Sequence, residues 1–180
     1  MPHSPDDAAL LVRIANGDQQ ALELLVERYH ARLWRYLARH LDLHMVEDVL
    51  QEIYLAFWRA AASFRGDARP STWMYQIAHH HLVTALVAHR RQQTQTDRFI
   101  LAEQQTTASP ENAVVARLDL AQAMQTLSLK HLETLDLIYF HGFTVEETAH
   151  ILGIPPGTVK SRLNQARERL HTILGKGAIR

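Results

Sequence analysis

His141–Leu170, HGFTVEETAHILGIPPGTVKSRLNQARERL, is the stretch that decides the fold. Gly142 can stop a preceding helix, because glycine takes the left-handed conformation of a helix end without a Cβ penalty. Thr144 stands three residues before Glu147, the spacing of a capping box, and Val145, Ala149 and Leu152 give the short helix that follows an apolar side. Gly153 closes that helix, Ile154 supplies an apolar plug for the corner, and Pro156 suits the first position of the next helix. The punctuation reads as two helices joined by a tight turn.

The second of these helices carries the chemistry. Val159, Leu163, Ala166 and Leu170 recur at spacings of four, three and four and fall on one narrow stripe. Turned away from it are Ser161, Asn164 and Gln165, with Lys160 and Arg167 on one side and Thr158, Arg162 and Arg169 on the other. From Pro156 to Lys176 five cationic residues face a single acid, Glu168. An apolar back, short hydrogen-bonding groups in front and cations at the edges suit a helix lying in a DNA major groove. Taken alone, the stretch also fits an amphipathic helix on a solvated hairpin.

The chain has 180 residues, enough for one domain or two small ones, and an ordinary apolar content of 47%. It contains no cysteine, which rules out a disulfide framework and thiolate metal sites and fits a reducing cytoplasm. The N-terminal run has acidic residues and too short an apolar segment for a signal peptide, and no stretch approaches a membrane span. Nineteen cations balance nineteen acids, so attraction to nucleic acid is local rather than global. That balance favours a protein that binds DNA with help.

Helical periodicity runs through the first ninety residues. Ser4 or Asp6 can cap a helix ended by Asn16-Gly17, and Asp18 can cap a second, with Ala21, Leu25, Leu33, Leu37 and Leu41 on one face. After a polar turn at Asp42 and His44, a third helix turns Val46, Val49, Leu50, Ile53 and Phe57 inward. Phe64–Pro70 breaks the helical pattern, and Ser71 opens a fourth helix carrying Trp73, Ile77 and His81 towards Arg91. The Gln-, Thr-, Ala- and Ser-rich stretch that follows reads as an extended or partly disordered linker. Helical spacing returns at Val114, Leu118 and Ala121, and a helix from Lys130 to His141 turns Leu132, Leu135 and Ile138 inward. The expected fold is therefore all-α: two small helical domains, residues 1–92 and 113–180, on a flexible linker at 93–112, with a helix-turn-helix in the second.

The run from Leu127 to Leu170, and Gly157-Thr158-Val159-Lys160-Ser161-Arg162-Leu163 within it, closely resembles region four of bacterial sigma factors. The first half resembles region two of the same family, through Ala21–Tyr29, Glu47–Trp58, Phe64-Arg65-Gly66 and Ser71–Ala78. With these two regions and a short linker, the chain is similar to the extracytoplasmic-function (ECF) group.

The resemblance implies a sigma factor, not an enzyme, that works in the cytoplasm without a cofactor. It would bind core RNA polymerase and direct it to promoter DNA, stay monomeric when free, and be held by an anti-sigma factor. Polymerase binding would map onto Asp48, Gln51 and Glu52. Melted minus-ten DNA would meet Phe64, Arg65, Gly66, Asp67 and Arg69, with Trp73 and Tyr75 nearby. For Trp73 a core anchor competes with base stacking and is the better fit. The duplex minus-thirty-five element would meet Thr158, Lys160, Ser161, Arg162, Asn164, Gln165, Arg167 and Arg169.

The chain departs from the family pattern at His79, His80 and His81, where basic or amide groups are common, at Pro70, and at Gln165, where Arg is common. Its twelve histidines raise the question of a metal. His40 and His44 straddle an expected helix end, and consecutive helical histidines point about 100° apart and cannot converge on one ion. Two other classes fit parts of the sequence. A stand-alone helix-turn-helix regulator with a helical sensing or dimerisation domain would bind duplex DNA by itself. An all-helical adaptor would leave the cationic, groove-sized helix unexplained.

Overall fold

A computed structural model describes residues 6–100, 123–124 and 126–177, with side-chain surroundings for 6–91, 123–124 and 126–174. Four helices form the first half: α1 (Asp7–Ala15), α2 (Gln19–Ala38), α3 (Leu43–Ala60) and α4 (Pro70–Ile100), with one 3-10 turn at Ala61–Ser63. The second half contains α5 (Leu129–Leu135), which passes directly into a π-helical turn (Asp136–Phe140), then α6 (Val145–Leu152) and α7 (Pro156–Gly177). No strand occurs among the described residues.

Asp6 stands at the N-cap of α1 without a side-chain cap hydrogen bond, whereas other local signals act as their chemistry dictates. Asp18 caps α2 by accepting from the Ala21 N–H at 3.1 Å. Thr144 and Glu147 close a reciprocal capping box, the Glu147 N–H donating to Thr144 Oγ1 at 3.1 Å and the Thr144 N–H to Glu147 Oε2 at 2.9 Å. Gly153 ends α6 with φ 62°, and the Ile154 N–H reaches back to the Ala149 carbonyl at 3.0 Å. This fixes the angle between α6 and α7, and Ile154 packs against both apolar cores.

Two expectations change. The fourth helix begins at Pro70 rather than Ser71, because proline's fixed φ suits the first turn and its missing N–H has no helical partner there. It then runs to Ile100, into the stretch expected to be a linker at 93–112. Nothing from Gln92 to Arg98 breaks a helix, since that run holds neither Gly nor Pro. Residues 101–122, which hold the rest of that linker and the periodicity at Val114, Leu118 and Ala121, lie outside the described residues, as does Ser4.

The two halves pack against one another. The larger core joins Leu10, Leu25, Leu33, Leu37, Ile53 and Phe57 of the first half to Leu137, Phe143, Ile151 and Leu152 of the second. A smaller core holds the helix-turn-helix together: Leu127 and Leu135 meet Ala149, Val159, Leu163 and Ala166. Leu135 and Leu137 are thus buried in different cores, and α5 with its π turn is the wedge between them.

Gly153 gives a clean test, because a Cβ placed there meets nothing within 4 Å. Gly153→Ala should cost about 1–2 kcal/mol through left-handed backbone strain alone. Chemical denaturation monitored by helicity would read the loss.

Candidate nucleic-acid interface

Helix α7 presents two unlike faces. Val159, Leu163 and Ala166 are buried, while Lys160, Ser161, Asn164, Gln165, Arg167 and Arg169 are exposed and Thr158 and Arg162 half-buried. The spacing of apolar positions determines this division, because α5 and α6 cover the stripe at 159, 163 and 166. Two outer residues are already engaged. The Arg167 guanidinium hydrogen-bonds the Tyr139 hydroxyl, Nε donating at 3.0 Å, and lies 5.6 Å from that ring's centroid. Gln165 contacts His131 and Ser161.

On α3, Asp48, Gln51 and Glu52 are all exposed and lie on adjacent turns, opposite the buried Val49, Leu50, Ile53 and Phe57. Leu55 continues the same face and is 48% exposed, an apolar neighbour that a search for charged groups passes over.

In the loop before α4, Arg65, Gly66, Asp67 and Arg69 are exposed and Phe64 is half-buried. Gly66 takes φ 78°, the left-handed turn this loop needs. Trp73 packs at 6.0 Å from Phe57 and 5.7 Å from Phe64, centroid to centroid, which makes it the anchor of the loop. Tyr75 corrects the sequence-based expectation. Its side chain is fully buried, with its ring against Tyr36, His141 and Phe143 and its hydroxyl 2.7 Å from His141 Nδ1. Residue 75 lies two positions after Trp73 and so faces the second half of the chain, not the loop.

The most polar buried region lies between the halves, and sequence reasoning missed it. Glu133 and Asp136 of the second half are both buried. The Tyr36 hydroxyl donates to Glu133 Oε1 at 2.5 Å, and His79 Nδ1 lies 2.6 Å from the same oxygen. Arg39 Nη1 donates to Asp136 Oδ1 at 2.8 Å, His40 Nε2 lies 3.1 Å from Oδ2, and His141 Nε2 faces Oδ1 at 3.7 Å. Burial pushes the Asp136 carboxyl up, but the His141 and His40 imidazoles more than reverse this and hold it below its ordinary value. Burial, with the Glu133 charge and hydrogen bond adding to it, keeps the Tyr36 phenol well above its usual range, so Tyr36 remains a donor. The available signal was two acids three apart, Glu133 and Asp136, in a helix whose other positions are largely apolar.

At the rim, Arg69 Nη1 sits 3.2 Å from Glu147 Oε1, joining the loop to the capping box of α6. Among the described residues, no group of three or more histidines or acids could hold a metal ion. No described helix is long and apolar enough to cross a membrane.

Glu147 supplies a pH-dependent test. Burial pushes its carboxyl up, but the Thr144 backbone N–H, the Thr144 hydroxyl and the Arg69 guanidinium outweigh that and hold it below 4.5. A carboxyl depressed on folding stabilises above its unfolded pKa and loses that contribution as pH falls through the folded one. Glu147→Gln keeps the capping geometry and removes the charge. The variant should be less stable than the parent at pH 7, with the gap closing as pH drops below about 4.5 in matched denaturant titrations.

The family model described as ECF sigma factor matches residues 6–176. The chain is 33% identical over 180 residues to the ECF RNA polymerase sigma-E factor of Escherichia coli K12, spanning 91% of this chain and 92% of that one. It is 31% identical over 182 residues to the RNA polymerase sigma-H factor of Pseudomonas aeruginosa PAO1, spanning 93% of each. The fold is also that of the Bartonella quintana sigma factor RpoE, solved in complex with the anti-sigma factor NepR. The two share a TM-score of 0.67 and 23% identity over 85% of this chain and 96% of that one. With a match this continuous the stand-alone regulator and adaptor readings fall away, and the chain belongs to the ECF sigma factor family of transcription initiation factors.

Proposed function

We propose that the exposed α3 face of Asp48, Gln51, Glu52 and Leu55 docks on core RNA polymerase. The Phe64–Pro70 loop takes up melted minus-ten DNA, and the outer face of α7 reads the minus-thirty-five element. Residues 1–92 and 113–180 then act as the two promoter-binding units. The observation that carries this reading is the division of α7: an apolar stripe against α5 and α6, with hydrogen-bonding and cationic groups outside. Arg162 and Arg169 suit phosphates, while Lys160, Ser161, Asn164 and Gln165 suit base edges. An anti-sigma factor that covers the polymerase-docking face is the further partner.

The packed arrangement of the halves bears on how this works. Elements centred near minus ten and minus thirty-five lie about 85 Å apart along duplex DNA at 3.4 Å per base pair. Helix α7 is about 33 Å long, and Arg69 contacts Glu147 beside it. A chain closed in this way cannot engage both elements, so joining polymerase and promoter separates the halves. The same closure, together with zero net charge, predicts weak DNA binding by the free chain.

Asp48→Ala with Gln51→Ala should weaken binding to core polymerase by about tenfold at unchanged helicity. Unaltered affinity in a direct titration would remove that face from the proposal. Separation of the halves can be read by energy transfer, since the chain has no cysteine and dyes can be placed at Ala31→Cys and Glu146→Cys, both exposed positions. Transfer should be high in the free chain and fall on adding core polymerase with promoter. Glu133→Gln combined with Asp136→Asn should lower it in the free chain. Transfer that stays high during productive transcription would refute the separation.

A further inference from the structure

Gln165 is not a free amide. Its Oε1 lies 3.0 Å from Nε2 of His131, and its Nε2 donates to Ser161 Oγ at 3.4 Å. His131 belongs to α5 and is only 2% exposed, held where α5 packs against α7 through Leu132, Leu135, Val159 and Leu163. On the far side of its ring, Nδ1 lies 3.0 Å from the Ser128 hydroxyl.

These contacts have one consistent direction. An amide oxygen only accepts, so His131 Nε2 carries the proton that lies between them. A neutral ring then accepts the Ser128 hydroxyl proton at Nδ1. Burial holds His131 below the ordinary histidine range; the Gln165 bond pulls the other way, and Arg169, Lys130 and Arg162 nearby act with burial. The ring is therefore neutral at pH 7. The relay runs Ser128 O–H to Nδ1, Nε2–H to Gln165 Oε1, and Gln165 N–H to Ser161 Oγ.

We propose that His131 is a positioning residue for base reading: it fixes the Gln165 amide with its carbonyl towards α5 and its NH2 towards Ser161, and so sets the order in which donor and acceptor meet a base edge. This rests on the assignment of Gln165 as a reader. The terminal torsion of a glutamine is broad and nearly two-fold, and turning it over exchanges donor for acceptor. An untethered Gln165 could match the acceptor–donor edge of adenine in one orientation. Turned over, it could meet the N4 donor of cytosine. Tethered, it offers one order only, and a base with the reverse order meets like against like.

His131 is buried and Gln165 exposed, so His131 cannot touch DNA itself. A change in base preference confined to the position that Gln165 governs therefore travels through Gln165. That separates a positioning role from a structural one.

The test uses holoenzyme reconstituted from full chain and core RNA polymerase, transcribing a promoter library randomised across the upstream element. Gln165→Ala identifies the position that Gln165 governs. His131→Phe fills the ring site without a donor and should flatten preference at that same position by about tenfold, leaving the other positions as they were. His131→Gln, which restores an N–H donor, should recover the preference, and His131→Phe in the Gln165→Ala background should add nothing. His131→Leu replaces the phenylalanine variant should helicity show that the larger ring is not accommodated. Retained preference in the donor-free variant, or an even loss of output at every position, overturns the inference. A Gln165→Ala profile identical to the parent's instead removes Gln165 as a reader, a separate failure that takes the positioning role with it.

Discussion

Two carboxylates, Glu133 and Asp136, govern how the chain is assembled. They sit on α5 and its π turn, in a stretch from Glu133 to Leu137 that is buried at every residue. A buried acid costs several kcal/mol unless charge and hydrogen bonds meet it, so neither can be left without partners. Most of those partners come from the other half: Tyr36 from α2, Arg39 and His40 from the turn just after it, and His79 from α4. Apolar contact would let the halves slide over many registers. Two acids that must each find particular donors allow one. The guanidinium of Arg39 ties the seam further by lying 3.5 Å from the centroid of the Phe140 ring.

The π turn is what lets one short helix serve two cores. Its backbone bond runs from the His141 N–H to the Asp136 carbonyl, one residue wider than an α-helical turn. That extra residue shifts the side chains beyond Leu135 around the axis. Leu135 stays with the helix-turn-helix, while Leu137 enters the core of the first half and His141 is brought to Tyr75. Gly142, at φ 73°, then turns the chain so that Phe143 packs on Tyr75 and α6 can begin. Helix α7 is thus carried on a segment whose own packing depends on the first half.

This arrangement gives the histidines unlike duties. His79 and His40 face the buried acids, whereas His131 lies in the smaller core and faces Gln165. At His79, one of the positions where basic or amide groups are common in the family, the imidazole lies against buried Glu133. It supplies one of the donors that hold the halves together.

The sequence by itself determined what depends on neighbours along the chain. The capping box, the Gly153 stop, the apolar stripe of α7, the exposed face at Asp48, Gln51 and Glu52 and the core role of Trp73 all follow from spacings within one helix or one turn, and those repeat at fixed angles. The family motifs were legible for the same reason. What lay beyond reach was contact between distant segments. The burial of Tyr75, the partners of Glu133 and Asp136, the pairing of Arg69 with Glu147 and the tether on Gln165 each join residues 34 to 97 positions apart. An acid in an amphipathic helix reads as solvated until something covers it. Only the tertiary structure decided that a second core covers that face, because the free energy of burying a charge depends on which groups the fold brings to it.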